Sequence, residues 1–110
     1  MNIDVTSADG ITIAKIDGEI DSHTAPMFME KLSSHLNKDA RVILDMSGVS
    51  FMSSSGLRQL LLLKRQLMEV DGRVVLVGVS RRLSDIMDIT GFLDFFDLVE
   101  TLEAGIETLK

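Results

Sequence analysis

The sequence predicts an α/β fold, a small mixed β-sheet packed against about four α-helices. Three observations carry that expectation. Val42-Ile43-Leu44 and Val74-Val75-Leu76-Val77 are short, continuous apolar runs with the length and bulk of buried strands. Around them lie longer stretches in which apolar residues recur at three- and four-residue spacing, the period of a helix with one apolar face. At the start, Ile3 and Val5 alternate with polar neighbours, and Asp9-Gly10 separates them from Ile11-Thr12-Ile13-Ala14-Lys15-Ile16, a hairpin signature.

Taken in order, the second strand is expected to end near Asp17-Gly18. Thr24 is a candidate N-cap for a first helix, with Pro26 in its first turn, where a missing N–H costs nothing. Phe28, Leu32 and Leu36, with Met29 beside them, give that helix its apolar stripe, and His35 lies next to the stripe. The central strand Arg41–Leu44 is followed by an apolar loop and then by a long helix carrying Leu57, Leu60, Leu61, Leu63, Leu67 and Val70. Asp71-Gly72 ends that helix before the strand Arg73–Val77. Leu83, Ile86 and Met87 mark a third helix closed by Gly91 at C′. Phe95–Val99 suggests a last short strand, and Thr101–Leu109 a terminal helix with Leu102 and Ile106 on one face. Right-handed crossovers are expected between parallel neighbours.

With 110 residues the chain is expected to be one domain, 1–110, able to bury one core. Its 45% hydrophobic and 25% charged content is that of a soluble globular protein. No cysteine is present, so there is neither a disulfide framework nor a thiolate metal site, in keeping with a reducing compartment. A net charge of −6 argues against nucleic acid as a partner. No apolar run approaches the roughly 20 residues of a spanning helix, and no leader precedes the first strand. A complete cytoplasmic protein is expected, without membrane insertion, and a monomer suffices.

The chemistry concentrates in Asp45–Leu57, where Ser53, Ser54 and Ser55 stand at the start of the long helix. A serine there can cap the helix, and any of the three offers a hydroxyl for phosphorylation. A phosphate adds about −1.5 to −2 charge, which a helix N-terminus tolerates. The fold should survive it, while a partner burying this loop against apolar or acidic surface should not. Val49, Phe51 and Met52 are apolar candidates for such a contact or for the core, and Arg58 lies one turn beyond Ser54. Glu19, Asp21 and His23 gather acidic and imidazole groups in one loop but match no metal motif. Gly48-Val49-Ser50-Phe51-Met52 lacks the last glycine of a nucleophile elbow, and no phosphate-binding glycine fingerprint occurs. Catalysis is not supported and no cofactor is expected.

The run Ser53-Ser54-Ser55-Gly56-Leu57 resembles the phosphorylation loop of anti-sigma factor antagonists, the stand-alone STAS domains of bacterial partner-switching systems. Gly18-Glu19-Ile20-Asp21 with Thr24-Ala25 resembles that family's segment before its first helix, and Asp88-Ile89-Thr90-Gly91-Phe92 the end of its third. Two positions depart from the pattern: Ser53 where an acidic residue is common, and Arg58 where glycine is common. The resemblance implies that Ser54 is the phosphoacceptor, with Ser53 and Ser55 as alternatives, and that Glu19, Asp21, Ser53, Ser55, Gly56 and Arg58 contact a partner. It implies a serine protein kinase that doubles as anti-sigma factor, bound by the unphosphorylated form so that its effector is released. Phosphorylation breaks that complex, and a PP2C-type phosphatase resets it. Two other classes fit the residues: an unphosphorylated STAS subunit of a lipid-transport ATPase, and a nucleotide-sensing module using a cleft near Glu19 and Ser54.

Overall fold

A computed structural model describes residues 1–110. Strand β1 (Asn2–Ala8) pairs antiparallel with β2 (Ile11–Ile20), closed by the pair Ala8↔Ile11. Asp9 and Gly10 between them have φ of 54° and 75°, the left-handed pair that a two-residue hairpin turn requires. After helix α1 (Ala25–Ser33) come β3 (Arg41–Met52), α2 (Ser54–Glu69), β4 (Arg73–Val77) and α3 (Arg81–Ile89). A 3-10 turn over Leu93–Phe95, strand β5 (Asp97–Val99) and helix α4 (Leu102–Leu109) complete the chain. The sheet order is β1-β2-β3-β4-β5, with every pair after the hairpin parallel.

That order places the helices. Each crossover steps the same way across the sheet, so right-handed connections put α1, α2 and α3 on one face. The main core forms there. Ile16, Val42, Leu44, Met46, Val74 and Leu76 of the sheet meet Phe28 and Leu32 of α1, Leu60, Leu63 and Leu67 of α2, and Leu83 and Met87 of α3. The other face carries a smaller cluster of Ile11, Ile43, Val75 and Val77 under Leu109 of α4. Alternation along β3 and β4 divides the residues between the two clusters.

Several boundaries differ from expectation. Strand β2 continues past Asp17-Gly18 to Ile20, and β3 continues through the presumed apolar loop to Met52. The two stay paired over that stretch, Glu19 opposite Phe51 and Ile20 opposite Met52, because β3 absorbs register shifts near Met46-Ser47 and Ser50. Helix α1 stops at Ser33, where His35 N–H turns back to the Leu32 carbonyl at 2.9 Å and Leu36 N–H to that of Ser33 at 3.3 Å. His35 and Leu36 therefore lie just beyond the helix, and Leu36 still packs against the core. Val70 caps α2 rather than belonging to its face, and the left-handed Asp71 turns the chain to β4. Gly91, at φ 82°, follows the α3 cap as predicted. On α4 the buried residues are Gly105 and Leu109, Ile106 packs against the same cluster as expected, and Leu102 faces solvent.

Candidate functional site

The ends of β2 and β3 and the start of α2 form one surface. Ser53 N–H donates to the Ile20 carbonyl at 2.9 Å, which extends the β2–β3 pairing to the first residue before the helix. The Ser53 side chain then caps α2, its Oγ accepting from Gly56 N–H at 3.1 Å, and its carbonyl accepts from Leu57 N–H at 2.9 Å. Helix α2 accordingly begins at Ser54, whose side chain is exposed and makes no hydrogen bond. Ser55 is half-buried, and Gly56 is buried. A Cβ on Gly56 would stand 2.5 Å from the Ile20 carbonyl oxygen, so glycine is what lets α2 approach the end of β2. Arg58 projects into solvent one turn along the same helix, outside the chain's two ion pairs, Lys38–Asp71 and Lys110–Glu107.

The neighbouring Glu19–Thr24 segment is held by its own hydrogen bonds. Asp21 Oδ1 accepts from the backbone N–H of His23 at 2.9 Å and of Thr24 at 3.0 Å, and these bonds hold its carboxyl below the usual carboxylate value, that of Thr24 contributing most. Thr24 occupies the cap position without capping. Its Oγ1 instead accepts from Asp21 N–H and lies 2.9 Å from the Glu19 carbonyl and 3.2 Å from Asp21 Oδ1, its single proton shared between them. Glu19 is exposed beside Phe51. The structure thus brings the Glu19–Asp21 segment against Phe51–Ser53 by backbone pairing. Asp21 spends its carboxylate on the turn, and Gly56 presents no surface.

Among the three apolar candidates, Val49 and Met52 are core residues, at 4% and 3% exposure, whereas Phe51 is 44% exposed beside Ser53. The register shifts in β3 decide this, since they carry the core face from Met46 to Val49 to Met52 in steps of three. No concavity includes Glu19 or Ser54. A cleft of about 390 Å³ lies instead among Gly78, Val79, Ser84, Leu98, Val99 and Glu100, and a groove of about 270 Å³ runs along α2 past Arg58, Leu61, Leu62 and Arg65. No group of three or more His, Cys, Asp or Glu is placed to hold a metal ion. No helix is long and apolar enough to cross a membrane.

The family model for the STAS domain matches residues 2–105, which span the five-stranded sheet, its three crossover helices and the serine-started α2. The chain belongs to the STAS domain family. Among its relatives, a candidate anti-sigma factor antagonist of Bordetella bronchiseptica, BtrV, is 32% identical over 100% of this chain and 96% of its own. The anti-sigma-B factor antagonist of Bacillus subtilis is 31% identical over 97% of this chain and 98% of its own. Among solved structures, the Bacillus cell fate determinant SpoIIAA in its phosphorylated form superposes with a TM-score of 0.74, at 23% identity over 99% of this chain and 100% of that one. That likeness shows the shared fold of this STAS domain.

Proposed function

We propose that this STAS domain is an anti-sigma factor antagonist whose partner binding is switched by phosphorylation of Ser54. The observation that carries the proposal is the division of labour among three adjacent serines. Ser53 uses its hydroxyl as a cap, Ser55 is half-buried, and only Ser54 presents a free, exposed hydroxyl. Relatives named as anti-sigma factor antagonists, similar along their whole length, support the same reading, as does the phosphorylated state of a protein with the same fold.

In this proposal the unphosphorylated protein lays the end of β3 and the start of α2 against a serine kinase that also acts as an anti-sigma factor. Phe51 supplies exposed apolar area, Glu19, Ser55 and Arg58 supply polar contacts around it, and Ser53 and Gly56 hold the backbone in place. The kinase transfers the γ-phosphoryl of ATP to Ser54 Oγ, the hydroxyl proton leaves, and ADP is released. The new charge of about −1.5 to −2 costs the fold little, because it sits beside the unpaired first-turn amides of α2. Buried against a partner, the same charge is expensive. A PP2C-type phosphatase restores the hydroxyl. The protein is a substrate in this cycle and catalyses no step of it.

The test is a pull-down with the cognate kinase and ATP. Ser54→Ala is expected to retain the kinase and Ser54→Asp to lose it, both with unchanged circular dichroism. Equal retention by the two variants removes Ser54 from the role.

A further inference from the structure

We infer that Arg58 holds the phosphate carried by Ser54, so that modification adds negative charge and also withdraws a guanidinium from the surface offered to the partner. The inference rests on the reading of Ser54 as acceptor and specifies how its modification is felt.

The cap sets the geometry. Because Ser53 Oγ accepts from Gly56 N–H and its carbonyl from Leu57 N–H, residues 54 to 58 form a regular turn rather than a loop. Residues four apart then share a face, and an acidic group N-terminal to a basic one at that spacing is the favourable order. Ser54 and Arg58 are both exposed, and Arg58 has neither a hydrogen bond nor an ion pair to give up. The planar fork of a guanidinium matches two phosphate oxygens, which an ammonium does not. Arg65, the next arginine on α2, is eleven residues from Ser54, about 16 Å along the helix and out of reach. Glu19, Asp21 and His23 lie on the adjoining segment at the end of β2, and Arg81 and Arg82, exposed in the first turn of α3, start from the same edge of the sheet. The two carboxylates repel a phosphate, and of the basic side chains on α2 only Arg58 lies within about one turn of Ser54.

Without the phosphate, Arg58 edges the groove of about 270 Å³ whose other lining includes Leu61, Leu62 and Arg65. That chemistry suits a partner carboxylate beside an apolar side chain. Phosphorylation removes the nearer cation from the groove, so the partner loses an attraction as well as meeting a repulsion.

The experiment uses full-length protein with phosphoserine incorporated at position 54 during synthesis, titrated by phosphorus NMR. The second ionisation of a free phosphoserine lies near pH ~6. Holding by Arg58 favours the dianion, so in Arg58→Gln this ionisation is expected to rise by about 0.3 unit, in Arg58→Lys by less, and in His23→Gln not at all. Coincident curves for the parent and Arg58→Gln, or a rise in His23→Gln alone, overturn the inference. Circular dichroism confirms that each variant is folded, as exposed positions allow. Since synthesis places the phosphate, coincident curves count against Arg58 alone, whereas a kinase that fails to modify Ser54 counts against the acceptor and leaves the curves as they are.

Discussion

At Asp21 a single carboxylate oxygen organises the turn between β2 and α1. Its contacts with the amides of His23 and Thr24 lower the carboxyl below its ordinary value of 3.8. The sign of the resulting pH dependence follows from linkage. A depressed folded-state value means that the stabilisation is fully present above the unfolded value and disappears as pH falls through the lower folded one. Asp21→Asn should therefore be less stable than the parent at neutral pH, and the gap should close in acid below the ordinary carboxyl range, as followed by urea midpoints at the two pH values. A gap that persists in acid would assign the effect to lost packing instead of the ionised oxygen. The role of Asp21 was legible in part. Thr24 with Pro26 marked a helix start and Asp21 stood out only as one of the loop's acidic groups, so the sequence could not show that Thr24 turns its hydroxyl back to Glu19 and leaves the cap position unused.

At the level of elements, α2 meets the end of β2 through Gly56. Ala at that position would bring a Cβ to 2.5 Å from a backbone oxygen and 2.8 Å from Met52 Cγ, and the backbone of a paired strand cannot yield as a side-chain tip can. Gly56→Ala is expected to destabilise by about 1–3 kcal/mol, despite the better helix propensity of alanine, and urea unfolding measures it. No change, or a gain, would mean that α2 slides at little cost and that its start is loosely held. Strand β3 shows why this region was the least legible. Unbroken alternation ends at Met46, and its core residues then fall at Val49 and Met52, a spacing of three that matches no strand template. The extra residues in β3 produce that spacing, and they also turn Phe51 outward. By contrast β4, α3 and the hairpin followed the ordinary periods and matched expectation.

Across the whole molecule, the two faces of the sheet are unequal in cover. Three helices bury one face, and the surface containing Ser54 grows from their end of β3. The other face depends on α4, whose contact line was read in part: Ile106 packs against the cluster and Leu102 does not, while Gly105, where a Cβ would meet Val77 and Ile43 at 3.1 and 3.3 Å, carries no hydrophobic signal. Leu109 closes this second cluster at 2% exposure, and its carbonyl accepts from Arg41 Nη1 at 3.2 Å, at the end of β3 farthest from Ser54. Leu109→Ala should cost about 2–5 kcal/mol, a large share of the ~5–15 kcal/mol that holds a domain together. Because the lesion and Ser54 lie near opposite ends of β3, the variant should show a lower urea midpoint with an unchanged Kd for the proposed kinase partner, measured where both proteins are folded. Loss of affinity in step with stability would show instead that α4 steadies the partner-binding end through β3, making the far face part of the switch.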